Sequence, residues 1–151
     1  PEAEADPGCV TLLGSDFVLD ADADIRRISE HNGFKLRETA ACETWEEYQK
    51  LGEGSLIIDC YPAGKFGVQQ QAERLGRPFL YLPGSFDYEE IQWQEEQLLE
   101  KLKELKGEIT GPDIKKEIRF CEEALSRAKK IIGFAGYTPG EQSDLLCPEN
   151  R

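Results

Sequence analysis

The sequence predicts an α/β fold built on an open parallel sheet and followed by a C-terminal helical hairpin. Strand-like apolar runs alternate with helix-like segments, and helices between successive strands imply parallel strands joined by right-handed crossovers. The clearest unit is Ser55–Gly84, where the apolar run Leu56–Ile58 is followed by a helical segment, Phe66–Leu75, and a second apolar run, Phe79–Leu82. Gly76 is the expected C-cap of that helix.

The remaining elements before residue 87 follow from apolar runs, capping residues and glycines. Asp20 or Asp22 is expected to cap a helix that runs to about Asn32, and Gly33 ends it. Residues Thr44–Glu47 have the spacing of a capping box, which predicts a short helix to Leu51. The predicted strands are Cys9–Leu13, Phe34–Ala40, Ser55–Asp59 and Phe79–Leu82. Such a pattern is typical of flavodoxin- or Rossmann-like sheets.

Long helical periodicity then replaces the alternation. A second capping box, Asp87–Glu90, begins a helix that runs to about Lys106, with Ile91, Leu98, Leu102 and Leu105 on one apolar stripe. After a turn at Gly107–Pro112, a second helix is predicted from Asp113 to about Ile132. We therefore expect a polar leader at 1–8, a domain at 9–133 whose hairpin spans 87–133, and an irregular tail at 134–151.

Net charge and hydropathy argue against a nucleic-acid-binding protein and against a membrane-spanning one. The chain has 151 residues, with 30 acidic and 18 basic side chains and a net charge of -12. A surface this negative repels nucleic acid and favours a partner that presents Lys or Arg. Apolar runs are too short for a membrane span, and the acidic N-terminus does not resemble a signal peptide. Because the chain begins at Pro1 and contains no Met, we expect it to be a piece of a longer protein.

The cysteines indicate reduced thiols and a cytoplasmic protein. The five cysteines are widely spaced, and with one histidine, His31, they form no zinc-binding pattern. Cys9, on the first strand, and Cys121, on an apolar helical stripe, are expected to be core residues. Cys60 differs, because it follows the third strand at the sheet edge where open α/β folds bind ligands.

Several phosphate-binding and catalytic motifs are absent or incomplete. No G-x-G-x-x-G follows the first strand, and Ala63-Gly64-Lys65 lacks the upstream Gly and the Ser/Thr of a phosphate loop. The helix N-terminus at Lys65 remains a generic anion site. Asp16, Asp20 and Asp59 lie near strand ends as in a phospho-receiver pocket, but the Lys on a fifth strand is missing, which favours capping and solvated loops.

The order of motifs around Cys60 carries a resemblance to a known family. A strand ends in Cys60-Tyr61, a helix containing Gln69–Gly76 follows, and Arg77-Pro78-Phe79 opens the next strand. This arrangement resembles the middle domain of the nitrogenase component 1 family, of the molybdenum–iron protein alpha-subunit type. Leu12–Phe17, Asn32–Phe34 and the two long helices extend the resemblance over about residues 9–132. Pro62 and Ala63 depart from it, because the family often has Arg and Ser there.

The resemblance implies a role for Cys60 and a parent oxidoreductase. In alpha-type subunits the corresponding cysteine is a ligand of the iron–sulfur active-site cofactor, so the resemblance implies Cys60 as a metal ligand. We expect Cys60, Tyr61 and Lys65 to be the cofactor-binding residues, Lys65 through its helix N-terminus. The parent would take electrons from a reductase and pass them to a metallocofactor or tetrapyrrole, or would scaffold cofactor assembly. Flanking domains and a homologous subunit are the implied partners, and the isolated domain is expected to be inactive and without cofactor.

Two alternatives remain open from the sequence. Cys60 is either a ligand or a buried packing residue. At the sheet edge, the helix dipole and partial exposure should make its thiolate more accessible than that of Cys121, which lies on the buried stripe of a helix. The chain itself is alternatively a non-catalytic α/β binding or signalling domain that uses its helical hairpin as an interaction surface.

Overall fold

The fold is a single parallel sheet with helices on both faces. The computed structural model describes residues 3–111 together with residues 123, 126 and 127. The sheet has the order β2-β1-β3-β4, and every pair of neighbouring strands is parallel, which confirms the predicted open parallel sheet. The strands are β1 (Asp6–Leu13), β2 (Lys35–Glu38), β3 (Gly54–Asp59) and β4 (Phe79–Tyr81), and the helices are α1 (Asp24–His31), α2 (Trp45–Gln49), α3 (Lys65–Leu75) and α4 (Tyr88–Lys106). Within the described residues, no helix is both long enough and apolar enough to cross a membrane.

The two faces of the sheet carry separate cores because side chains alternate along each strand. Val10, Leu12, Leu56 and Ile58 face one way and pack under α1 and α4, in a core that also includes Ile28, Phe34, Leu82, Leu98 and Leu102. Ile57 faces the other way and packs under α3 with Val68 and Ala72. Burial of β1 and β3 on both faces explains their continuous apolar runs.

Two predicted element boundaries at the start of the chain are wrong. β1 begins at Asp6, so part of the predicted leader pairs with Gly54 across a register shift, and the Asp6 carboxylate accepts a hydrogen bond from Gly8 N at 2.9 Å. Neither Asp20 nor Asp22 caps α1, which begins after Ala23 without a side-chain cap.

The predicted second strand is also too long. β2 ends at Glu38 because Thr39–Ala41 forms a 3-10 turn. A second 3-10 turn, Lys50–Glu53, leads from α2 into β3.

Capping chemistry explains the starts of α2 and α4. The capping box of Thr44 and Glu47 is present and begins α2. Asp87 caps α4 by accepting from Glu89 N at 2.9 Å, but the reciprocal half of the predicted box is wrong because the Glu90 carboxylate accepts from the Ser85 hydroxyl instead. α4 is the first helix of the predicted hairpin. The second, Asp113–Ile132, lies outside the described residues apart from residues 123, 126 and 127, which are helical, and the tail at 134–151 lies outside them entirely.

Candidate functional site

The topological switch point of the sheet lies at its carboxyl edge between β1 and β3, because the connections after these two strands run to opposite faces. Gly14, Asp59 and Gly64 pack against one another at this point. Gly14 has a φ of 77°, and a Cβ atom on Gly64 would lie 3.0 Å from the Gly14 Cα. The Asp59 carboxylate lies against both glycines and is fully buried. The chain's own atoms therefore occupy the space directly between the ends of β1 and β3.

Asp59 is the most buried acid at this edge. Its Oδ1 accepts a hydrogen bond from Tyr61 N at 2.9 Å, whereas Oδ2 has no hydrogen-bond partner among the described residues. Burial raises the pKa of the Asp59 carboxyl, and the N–H groups of Tyr61 and Cys60 and the charge of Lys65 only partly oppose it. Asp59 therefore holds its proton more readily than an exposed aspartate.

Cys60 lies immediately after β3 and points to the opposite face from Asp59. It is half-buried and packs against the core beneath α1 and α4. The thiol lines a groove of about 400 Å³, whose other walls include Leu19, Asp24, Ile25, Ile91 and Glu95. The predicted position of Cys60 at the carboxyl edge of the third strand is correct, and two carboxylates share its groove.

The thiol of Cys60 is not activated by its surroundings. Burial raises the pKa of the Cys60 thiol, and the negative charges of Asp59 and Glu38 raise it further. Its own backbone N–H and the Ser15 side chain lower the pKa, but their effect is smaller than that of burial. The expectation that the Cys60 thiolate is more accessible than that of Cys121 stays a prediction, because Cys121 lies outside the described residues.

Tyr61 and Lys65 do not join Cys60 in one pocket. The Tyr61 side chain is half exposed, and Lys65 is the first residue of α3. The Lys65 ammonium lies 4.3 Å from the centroid of the Tyr81 ring, a cation–π contact, and it lines a different groove beside β4. Cys60, Tyr61 and Lys65 therefore lie at the same edge of the sheet, but their side chains do not meet in one pocket.

The residues at this edge can supply one metal ligand, Cys60, but not the full set of ligands of a metal centre. Among the described residues, no three His, Cys, Asp or Glu side chains are grouped so as to hold a metal ion. Cys60 would supply one thiol to an iron–sulfur cofactor, and the other ligands would come from outside this chain.

A rim of exposed aromatic side chains surrounds the same edge. Phe17 follows β1, Phe66 lies in the first turn of α3 after β3, and Phe86 follows β4. Their exposed fractions are 79%, 77% and 103%. Tyr61 and Tyr88 are also exposed on these connections. We call these exposed aromatic side chains the aromatic rim and treat them as the second feature of the site.

Sequence reasoning missed three charged residues that shape the site. Glu95 is buried on α4 and lines the Cys60 groove. The sequence could have indicated its burial, because Glu95 lies between Ile91 and Leu98 on the apolar stripe of α4. Glu38 is buried at the end of β2, where it pairs with Arg26 and accepts from Leu19 N at 2.7 Å. No local pattern marks that pair, because the residues belong to different elements.

Comparison of the chain with family models, with curated proteins and with solved structures found no match.

Proposed function

We propose that this chain is an α/β domain of a nitrogenase component 1-like oxidoreductase, and that its carboxyl edge faces the cofactor of the parent protein. The observation that carries the proposal is the position of Cys60, directly after β3 and lining a groove at that edge. Together with the Cys60-Tyr61 motif and the order of elements, it supports Cys60 as a cofactor ligand. The parent passes electrons from a reductase to a metallocofactor or tetrapyrrole, or scaffolds cofactor assembly, in the cytoplasm.

The aromatic rim supports the proposed partners. Phe17, Phe66 and Phe86 are largely exposed at this edge and offer apolar surface to a partner. Flanking domains of the same polypeptide, or a homologous subunit, would cover this rim and enclose the cofactor beside Cys60. Burial of the edge would also exclude water from the groove, which strengthens the electrostatic interactions inside it.

Metal binding would reverse the protonation state of Cys60. The free thiol has a raised pKa, so it stays protonated in the isolated domain. A coordinating thiol loses its proton to the metal, and the affinity of the site then depends on pH. The carboxylates of Asp59, Glu38 and Glu95 lie around it, so the edge suits a cationic centre or an apolar macrocycle better than a strongly anionic cluster.

The test uses the full-length parent protein with Cys60→Ala and the matched variant Cys42→Ala, a second half-buried cysteine in the 3-10 turn region after β2. We expect Cys60→Ala to reduce iron or tetrapyrrole content to less than half and to change the melting temperature little, because one sulfur leaves a small cavity. Cys42→Ala should leave cofactor content unchanged. Metal analysis, pigment extraction and thermal unfolding measure these quantities.

Two outcomes would reject the proposal. Unchanged cofactor content with a lowered melting temperature in Cys60→Ala would identify Cys60 as a packing residue. A full-length reading frame that has no cluster-ligating cysteines, and a DNA-binding or purely helical neighbour, would favour a binding or signalling domain instead.

A further inference from the structure

A second open site lies on the other face of the sheet from Cys60. A trench of about 400 Å³ runs between α2 and α3, with Gly14 and Thr39 at its carboxyl end and Leu51 and Gly52 at the opposite end. Ligand pockets of proteins have volumes of roughly 300–1,000 Å³. Because the trench lies on the α3 face, it does not depend on the function proposed for Cys60.

One wall of the trench is an aromatic platform formed by Trp45 and Tyr48 of α2. The two rings are stacked, with centroids 5.4 Å apart and planes 17° from parallel. They are nevertheless 64% and 49% exposed, so ring surface remains open to solvent. The capping box of Thr44 and Glu47 fixes the helix that carries them. A fixed, exposed aromatic pair gains contact area by stacking with a planar ring at little cost in side-chain entropy.

The opposite wall of the trench carries a cation, the guanidinium of Arg74. Gly67, Gln71 and Arg74 follow one another at helical spacing on α3 and all line the trench. Within residues 3–111 the Arg74 guanidinium makes no ion pair or hydrogen bond, although the chain has an excess of acids. By contrast, Arg26 and Arg37 pair with Glu38 and Glu53. A guanidinium binds carboxylate or phosphate groups through two parallel hydrogen bonds.

Two acids on the helices that flank the trench are engaged elsewhere. The Glu73 carboxylate accepts hydrogen bonds from the side-chain amides of Gln69 and Gln70, at 3.2 and 2.9 Å. The Glu47 carboxylate accepts from the backbone N–H groups of Glu43 and Thr44, at 2.8 and 3.2 Å. Neither residue lines the trench, so the charge that the trench presents is that of Arg74.

We propose that the trench binds a small planar organic anion. Its ring stacks on Trp45 and Tyr48, its carboxylate or phosphate pairs with Arg74, and the Gln71 amide hydrogen-bonds to it. Gly14, Gly52 and Gly67 line the trench without side chains and allow the ligand to approach the backbone. Aromatic carboxylates and nucleoside monophosphates share this chemistry, and the test below distinguishes them.

The test measures binding of probes to the 151-residue chain by isothermal titration calorimetry. The probes are 2-naphthoate and adenosine monophosphate, each with a control that lacks the charge (2-naphthamide, adenosine) and a control that lacks the ring (cyclohexanecarboxylate, ribose 5-phosphate). We expect at least one anionic ring probe to bind with a sub-millimolar dissociation constant, at least tenfold tighter than both of its controls, and added salt should weaken it.

Variants locate the binding in the trench. Arg74→Gln and Trp45→Leu should each weaken binding at least tenfold, and circular dichroism should show unchanged folding because both side chains are exposed. The matched controls are Lys103→Gln and Trp93→Leu, exposed positions on α4 outside the trench, which should change affinity less than twofold. The proposal is overturned if neither anionic probe binds below millimolar concentration, or if the control variants lose as much affinity as the trench variants.

Discussion

A Cβ atom on Gly14 would lie 2.6 Å from Oδ1 of Asp59, closer than real Cβ atoms come to a non-bonded neighbour. Gly14 also has a φ of 77°, which side-chain-bearing residues rarely adopt. The loops after β1 and β3 therefore meet only because residue 14 has no side chain. Closure of the switch point, and the position of Asp59 within it, depend on this contact.

Gly14→Ala should therefore lower the free energy of unfolding by about 2 kcal/mol, since it adds both a clash and backbone strain. Gly67→Ala is the matched control, because Gly67 lies inside α3 and a Cβ there meets nothing within 4 Å. That variant should stabilise the chain by about 0.5–1 kcal/mol. Urea unfolding followed by circular dichroism measures both, and equal effects of the two substitutions would disprove the contact.

Asp59→Asn should stabilise the chain at neutral pH. Burial raises the pKa of Asp59 in the folded state above its value of about 3.9 in the unfolded chain. The folded state then binds the proton more tightly, so this group favours folding at low pH, and stability falls as pH rises through the raised pKa. Asparagine keeps the acceptor for Tyr61 N and carries no charge.

The expected gain for Asp59→Asn at pH 7 is about 1 kcal/mol, the scale of one unsatisfied buried polar group. The gain should shrink as the pH falls toward 4, because the folded state then holds the Asp59 proton and the carboxyl of the unfolded chain becomes increasingly protonated. Urea titrations at pH 7, 5.5 and 4 measure this trend. A difference that is constant over this range, or a variant less stable than the parent chain at pH 7, would contradict the assignment of the raised pKa to Asp59.

The thiol of Cys60 should react slowly with alkylating reagents. Because its pKa is raised, the thiolate fraction at pH 7 is lower than that of an ordinary cysteine, and the reaction rate should climb only above the usual thiol range of about 8.5. Asp59 contributes to that shift through its negative charge, so Asp59→Asn should increase the alkylation rate of Cys60 at pH 8 by about twofold or more.

Peptide mass spectrometry of iodoacetamide time courses follows Cys60 and Cys9 in one experiment. Cys9 is fully buried on β1, so it reports opening of the whole fold rather than local exposure. Cys60 should react faster than Cys9 in every variant, and Asp59→Asn should change the Cys60 rate alone. Equal acceleration of both thiols would indicate loosened structure and not a lowered pKa.

Glu38→Gln should destabilise the fold because it breaks a buried ion pair. Glu38 is 4% exposed, binds Arg26 of α1 and accepts from Leu19 N, so it anchors the loop that carries Phe17 to the end of β2. Removing the Glu38 charge leaves the half-buried Arg26 with only its pair to the exposed Glu30, at a cost of about 2 kcal/mol. Glu104→Gln, which breaks an exposed pair with Lys101, should cost less than about 0.5 kcal/mol.

Urea unfolding of Glu38→Gln, of Arg26→Met and of the double variant completes a double-mutant cycle. The double variant should be less destabilised than the sum of the two single variants. Additive effects would mean that the Arg26–Glu38 pair contributes nothing specific.

The sequence predicts best where a residue's structure is determined by its neighbours along the chain. The order β3, α3, β4 follows from Leu56–Ile58, from the helical spacing before Gly76 and from the aromatic run at Phe79. Gly76 indeed ends α3, with a φ of 64°. The position of Cys60 at the sheet edge follows from the same local pattern.

The parts that the sequence could not predict depend on contacts between distant residues. The start of α1 is held without an aspartate cap, because Glu38 binds Arg26 of this helix and Leu19 N of the loop before it. These partners lie 12 and 19 residues away from Glu38 in the sequence. Closure of the switch point brings together Gly14, Asp59 and Gly64, which no single window contains. The raised pKa of Cys60 has the same origin, because burial and the charges of folded neighbours outweigh its position before a helix.

Asn32 joins α1 to the segment after α4, and its loss should loosen that segment. Its side-chain amide donates to the carbonyls of Ile28 and Thr110, at 2.8 and 2.9 Å, and its Oδ1 accepts from Thr110 N at 2.7 Å. Asn32→Ala should cost about 1–2 kcal/mol of stability, since it removes these bonds at once. Gln92→Ala, which removes an exposed contact with Glu96 on α4, is the control and should cost less than about 0.5 kcal/mol.

Hydrogen exchange gives the sharper measurement, because the Thr110 amide loses its only side-chain acceptor in Asn32→Ala. Exchange at Thr110 should accelerate at least tenfold, whereas amides in the centre of β3 should accelerate only as far as global stability falls. If Thr110 exchanges no faster than in the parent chain while global stability drops, Asn32 acts through the end of α1 alone. The bond to Ile28 would then carry its whole effect, and the segment after α4 would be held by the packing of Ile109 against the core beneath α1 and α4.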